Sequence, residues 1–132
     1  MTEPIAAQIT GAIGLTGVKI ELVYDPTEPY TVFMYIWNWY GKHWLEWVCE
    51  RDLLAQALEA DTDGTVTGEL DMLITRVDDR TTKITKVTRG EWHERTEVVL
   101  GSARLTSFLK EAFALVPPGH ERIELDVEQL LR

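Results

Sequence analysis

The sequence contains few of the side chains from which catalytic and metal sites are usually built. Its 132 residues include one cysteine, three histidines and two serines. A single cysteine, Cys49, excludes an intramolecular disulfide and a metal cage made only of cysteines, and it fits a reducing compartment. The possible catalytic constellations are therefore few enough to test one by one.

None of these residues has a partner at the spacing that chemistry requires. His43 and Cys49 lie on one predicted strand, where their separation in sequence corresponds to roughly 20 Å, beyond hydrogen-bond reach. Ser102 stands where a helix N-cap is expected, which occupies its hydroxyl. Asp61 and Asp63 precede a glycine as in a calcium loop, but the other ligands of that loop are missing. We predict no catalytic residue, no metal site and no cofactor, and interpret Cys49 as a small buried apolar residue.

Positive charge and long apolar runs are also scarce. Thirteen basic and 22 acidic residues give a net charge of −9, which opposes binding to nucleic acid because that binding depends on Lys and Arg. The longest uncharged apolar run, Pro29–Gly41, is too short to span a bilayer as a helix, and Met1–Pro4 does not resemble a signal peptide. We expect a cytoplasmic protein without membrane insertion, for which nucleic acid is a disfavoured partner.

The remaining composition is that of a globular protein, with 45% apolar and 27% charged residues, and the length predicts one domain over 1–132. A short helix capped by Asp52 and a longer helix that starts at Ser102 and stops at Pro117 join several strands in an α+β fold of antiparallel sheets. Val66–Ile74 is expected to be a single one-sided strand. The predicted strands are Gly17–Tyr24, Tyr30–Tyr40, Trp44–Cys49, Val66–Ile74, Thr82–Thr88 and Glu94–Leu100, with a further edge strand at Glu121–Leu125.

Aromatic residues are concentrated in one part of the chain. Eight of the twelve lie between Tyr30 and Trp47. Because side chains alternate along a strand, two large apolar faces result, and both require cover. The aromatic face either packs in the core or forms an interface with another subunit or a partner. One face would carry Phe33, Tyr35, Trp37 and Trp39, which we take as the candidate interface, and the other would carry Val32, Met34 and Ile36.

The segment Arg76–Arg89 is basic in an otherwise acidic chain. It has a charge of +3, and the rest of the sequence has a charge of −12. Two interpretations remain open: a solvated hairpin, or a patch to which an acidic partner docks. The basic residues are Arg76, Arg80, Lys83, Lys86 and Arg89.

An ordered set of short motifs resembles one family, the SsgA-like sporulation and cell-division proteins of actinomycetes. Order and spacing match over about 18–131, and the specificity lies in the set rather than in any single motif. The motifs are Tyr24-Asp25, Glu28-Pro29-Tyr30, Glu46-Trp47-Val48 before Arg51-Asp52-Leu53-Leu54, Ser107-Phe108-Leu109, Val116-Pro117-Pro118-Gly119 with Glu121, and Leu125-Asp126.

The resemblance implies a non-enzymatic protein recruited to division septa. Its implied partners are other copies of itself, assembled as a trimer, and division proteins such as FtsZ or a paralogous adaptor. The implied fold is similar to that of the single-strand-binding whirly proteins. The segment Phe33–Trp44 is larger and less polar than is common in the family, and the basic segment Arg76–Arg89 matches no family motif.

Two hypotheses of function follow. The first is an adaptor that helps to position the septum by protein–protein contact, with several copies of one site raising the local concentration of a partner. The second is a single-stranded nucleic-acid-binding module of whirly-like fold, in which bases stack on aromatic rings near Lys83, Lys86 and Arg89. The net charge of −9 weighs against the second hypothesis.

Overall fold

A computed structural model describes residues 3–38, 42–69, 71–88 and 94–121. Four strands and a helix occur twice in succession, although the sequence shows no internal repeat. The first set is β1 (Ile5–Ile13), β2 (Thr16–Tyr24), β3 (Thr31–Asn38), β4 (His43–Glu50) and α1 (Arg51–Glu59). The second is β5 (Val66–Glu69), β6 (Met72–Arg76), β7 (Thr81–Thr88), β8 (Glu94–Gly101) and α2 (Ser102–Leu115).

The eight strands form one antiparallel sheet in the order β4-β3-β2-β1-β8-β7-β6-β5. The expectation of more than one sheet is therefore wrong, although the α+β class is confirmed. The halves meet where β1 pairs with β8 through only Gly11↔Leu100 and Ala12↔Val99. The sheet curls, and helix α1 contacts both β4 at one edge and β5 at the other.

One face of the sheet, called here the inner face, is covered by the two helices. The alternation predicted for β2 is confirmed, since its inner-face side chains are buried. Helix α2 contributes Leu105, Phe108, Leu109 and Ala112 to the same core, as their helical spacing predicts. The sheet and helices therefore share one hydrophobic core, and both helices in the described part of the chain lie on this inner face rather than on the opposite, outer face.

The predicted single strand Val66–Ile74 is wrong, because β5 and β6 form a hairpin there. Thr67 pairs with Ile74, and both are buried on the inner face, whereas Val66 is 54% exposed. The hairpin turn reverses the chain, so an alternation that appears continuous in the sequence belongs to two strands. The strands predicted at Thr82–Thr88 and Glu94–Leu100 are confirmed as β7 and β8.

Both predicted helix caps are also wrong. The N-cap of α1 is Glu50, with Asp52 inside the first turn, and the N-cap of α2 is Gly101. Each helix follows its strand without a loop, so the last strand residue takes the cap position. The Ser102 hydroxyl instead shares a 2.7 Å hydrogen bond with the Thr82 hydroxyl. The edge strand predicted at Glu121–Leu125 lies, beyond Glu121, outside the described residues.

Candidate interaction surface

The outer face of β2, β3 and β4 carries the aromatic side chains singled out in the sequence. Strand β3 alternates as predicted, and Val32, Met34 and Ile36 are fully buried on the inner face. Phe33, Tyr35 and Trp37 lie on the outer face and are half-buried. We call the outer-face residues Val23, Phe33, Tyr35, Trp37, Trp44 and Val48 the aromatic face.

Strand register brings further side chains to this face. Phe33 lies between Val23 on β2 and Val48 on β4, which makes a continuous apolar row across three strands. Val48 is 52% exposed. Trp37 lies opposite Trp44, and their rings meet edge to face with centroids 5.2 Å apart, a favourable aromatic geometry.

Tyr35 gives the aromatic face a polar group at its centre. Its cross-strand neighbours are Glu21 and Glu46. Burial raises the pKa of the Tyr35 phenol, and Glu46 raises it further through its charge and a hydrogen bond. The phenol is therefore neutral near pH 7, and the face combines apolar rings with carboxylates at hydrogen-bonding positions.

Trp39, the fourth residue of the candidate interface, lies outside the described residues. The structure brings the other three together on one face, and alternation alone was sufficient to find them. It did not find Trp44 and Val48, because their place on the face depends on the register between β3 and β4. That this face is an interface remains a prediction.

The basic residues of 76–89 do not share one surface. Lys83 pairs with Thr75 on the outer face, whereas Lys86 pairs with Met72 on the inner face. The Lys83 ammonium lies 3.7 Å from the Glu97 carboxylate. Arg76 and Arg80 lie near one another at the β6–β7 turn, where both line one cleft, and Arg89 lies outside the described residues.

Cys49 is buried on the inner face with 1% of its surface exposed, which confirms its interpretation as a small buried apolar residue. Burial raises the pKa of its thiol to about 12, so the nucleophilic thiolate is scarce at neutral pH. His43 is exposed at the opposite end of β4.

Within the described ranges no three His, Cys, Asp or Glu residues are grouped to hold a metal ion, and no helix there could cross a membrane.

Sequence reasoning missed a second cluster, which is centred on Arg51 at the first position of α1. Its side chain is fully buried, and its guanidinium lies 4.1 Å from the centroid of the Phe113 ring. It donates hydrogen bonds to the Tyr24 hydroxyl at 3.0 Å and the Val116 carbonyl at 2.7 Å. Its ion pair with Glu121 is 2.8 Å long.

This cluster joins the start of α1 to the end of α2. The Tyr24 hydroxyl donates in turn to the Pro29 carbonyl, and burial raises the pKa of that phenol. The pKa of Glu121 is lowered from its usual value. Its carboxylate accepts hydrogen bonds from its own backbone N–H and from the Gly119 N–H, and it lies beside the Arg51 guanidinium. A lowered carboxylate pKa means that this contact stabilises the fold near neutral pH and is lost as pH falls through that pKa.

Comparison with known proteins decides the family. The family model described as "Streptomyces sporulation and cell division protein, SsgA" matches residues 18–121. The chain belongs to this family. The resemblance seen in the motifs is thereby confirmed.

Individual relatives of the SsgA family agree with this assignment. The chain is 31% identical to the sporulation-specific cell division protein SsgB of Saccharopolyspora erythraea over 115 residues, which cover 86% of this chain and 76% of that protein. It is 32% identical to SsgB of Streptomyces coelicolor over 114 residues, covering 86% of this chain and 79% of that protein.

Solved structures of the SsgA family share the fold. A structure from work on SsgB mutations and longitudinal cell division in sporulating Streptomyces coelicolor superposes with a TM-score of 0.72 at 25% identity, covering 92% of this chain and 94% of that one. The structure of an SsgA-like sporulation-specific cell division protein from Thermobifida fusca superposes with a TM-score of 0.75 at 19% identity. This match covers 99% of this chain and 97% of that one.

Four of the SsgA-like motifs in the sequence, including the one that contains Arg51, meet at the Arg51 cluster. Tyr24, Pro29 and the pair Val116 and Glu121 come from three separate motifs, yet each contacts Arg51 or the Tyr24 hydroxyl that Arg51 binds. These motifs therefore have a structural explanation, and the aromatic face lies outside most of them.

Proposed function

We propose that this SsgA-family protein is a non-enzymatic adaptor in sporulation-specific cell division. It assembles with copies of itself, as a trimer of whirly-like protomers, and positions the septum machinery, FtsZ or a paralogous adaptor, by protein–protein contact at the division septum. Family membership supports the cellular process, and relatives named as cell division proteins rather than enzymes support the absence of catalysis.

The observation that carries the contact mechanism is the aromatic face. Phe33, Tyr35 and Trp37 are half-buried on the outer face, and neither helix of the described residues packs extensively against β3, while Trp44 is 46% exposed. Aromatic side chains provide large contact areas at protein interfaces. Contiguous exposed apolar patches on soluble proteins are typical of interaction sites.

An oligomer would present several copies of the aromatic face, and this multivalency explains how the adaptor would act on its partner. Several identical sites on one particle convert later binding events into intramolecular ones, which raises the effective concentration of a multivalent partner. A filament-forming division protein is such a partner. The adaptor would therefore concentrate the filament at one place without catalysing a reaction.

A crosslinking pull-down from sporulating cells of the source organism tests this function. The wild-type chain is expected to capture division proteins, FtsZ or a paralogous adaptor among them, and the double variant F33A/Y35A is expected to capture less. Both substitutions shorten outer-face side chains and leave the inner face intact. Capture of only nucleic-acid-bound proteins, or of no division protein, by the wild type would contradict the proposal.

The matched control is L15A/Y30A. Leu15 is 107% and Tyr30 is 46% exposed, and neither belongs to the aromatic face. This variant removes similar exposed apolar surface elsewhere, so it is expected to capture division proteins as the wild type does. Equal losses in the two variants would show that the aromatic face has no special role.

A further inference from the structure

A cleft of about 640 Å³ opens beside the second half of the sheet. Its walls are the end of α1 at Ala57 and Leu58, the β6–β7 turn, and the first turns of α2 from Ser102 to Lys110. No residue of the aromatic face lines it. The cleft is thus a second surface feature, separate from the aromatic face.

The cleft is basic in a protein with a net charge of −9. Arg76 and Arg80 reach it from the β6–β7 turn, and Arg104 and Lys110 reach it from α2; the acidic residues in the lining are Asp78 and Asp79. Folding therefore joins two of the five basic residues of the segment 76–89 to two cations that lie more than twenty positions further along the chain.

Two of the cations are available to a ligand. Arg80 and Lys110 are exposed, and neither forms an ion pair with any residue in the described part of the chain. Asp78 is engaged within its own turn, where its carboxylate accepts the Arg80 backbone N–H at 2.8 Å. One of the two acidic side chains in the lining therefore already has a local partner.

The other two cations are held in place. Arg76 donates one N–H to the Ala60 carbonyl at 2.6 Å and pairs with Asp63 at 3.2 Å. Arg104 donates one N–H to the Gln8 carbonyl at 2.6 Å. Each guanidinium has five N–H donors in a fixed fork, so both retain further donors, which suits recognition of carboxylates.

Helix α2 strengthens the positive potential of the cleft. Its first turn contains no acidic residue and its N-cap makes no side-chain hydrogen bond. The N-terminal end of a helix has a partial positive charge, and no carboxylate within the first turn of α2 offsets it. The helix adds to the four basic side chains and does not by itself define the site.

We infer that this cleft binds an acidic peptide segment of a protein partner, an inference that rests on the proposed adaptor function. Its volume falls in the range of roughly 300–1,000 Å³ typical of ligand sites and suits a few side chains. A single-stranded nucleic acid fits less well, because no aromatic side chain among the described residues lines the cleft for base stacking and the rest of the protein repels phosphates.

Fluorescence anisotropy with a labelled hexaglutamate peptide tests the inference. We expect binding at about 50 mM salt that weakens at higher salt, as screening requires. The variant R80Q/K110Q is expected to bind about fivefold more weakly, the loss typical of two exposed ion pairs. Circular dichroism verifies that each variant is folded.

The control variant K19Q/R95Q removes the same charge outside the cleft and is expected to retain wild-type affinity. The inference is overturned if hexaglutamate does not bind, if hexaglutamine binds equally well, or if both variants lose affinity equally. It is also overturned if a labelled dT20 oligonucleotide binds in the cleft and the peptide does not.

The pull-down described above separates this inference from the adaptor function. If the wild type captures division proteins and R80Q/K110Q captures them equally well, the cleft inference fails and the adaptor function stands. If the wild type captures no division protein, the adaptor function fails, whereas the peptide titration still decides whether the cleft binds acidic peptide.

Discussion

Arg51 has a permanent positive charge in a position that solvent does not reach. Such a charge is tolerated only where a counter-charge and hydrogen-bond acceptors replace water. Glu121 supplies the charge, while the Tyr24 hydroxyl and the Val116 carbonyl accept hydrogen bonds. Arg51 thereby connects β2, α1 and the segment after α2, and its loss leaves several buried groups without a partner.

The variant R51M is expected to lower the free energy of unfolding by about 3 kcal/mol, because removing one partner of a buried ion pair leaves the other groups uncompensated. The control is R104M, which removes an exposed arginine with one hydrogen bond to the Gln8 carbonyl and is expected to cost less than about 0.5 kcal/mol. Urea unfolding at neutral pH measures both. An R51M protein as stable as R104M would show that the cluster does not stabilise the fold.

At the scale of elements, the sequence predicted what periodicity and residue size reveal. Alternating apolar and polar side chains located β2, a run of large apolar side chains located β3, and the helical stripe located α2. Strand β1 was not predicted, because Ala6, Ala7, Gly11 and Ala12 give little contrast between its faces. The β5–β6 hairpin was also missed, since alternation continues through its turn and only pairing reveals the reversal.

The joint between β1 and β8 depends on Gly11. A Cβ there would lie 2.6 Å from the Cδ1 atom of Ile20 and 2.8 Å from the Val99 carbonyl oxygen, and the carbonyl is held by the sheet. We expect G11A to lower the free energy of unfolding by about 2 kcal/mol, the usual cost of overpacking.

G101A is the matched control for Gly11, because nothing lies within 4 Å of the added methyl group and its φ of −73° suits any residue. Thermal unfolding of the two variants gives the comparison. If G11A melts at the same temperature as G101A, the two halves of the sheet are not tightly packed at this joint.

At the scale of the whole molecule, the curled sheet packs both described helices on its inner face and carries the aromatic side chains on its outer face. Alternation in the sequence predicted Phe33, Tyr35 and Trp37 on one face, but the contribution of Trp44 and Val48 required the pairing of β3 with β4. The basic residues of 76–89 show the opposite effect, because folding separates residues that are close in the sequence. They are adjacent in the sequence, yet the pleat sends Lys83 and Lys86 to opposite faces, and the cleft recruits Arg104 and Lys110 from α2.

The mass of the particle in solution tests the central claim, assembly through the aromatic face, most directly. Size-exclusion chromatography with light scattering should give the wild type a mass of three times 15.1 kDa and give folded F33A/Y35A a smaller mass. L15A/Y30A should match the wild type. A wild-type mass of 15.1 kDa, or an F33A/Y35A particle as large as the wild type, would contradict the account.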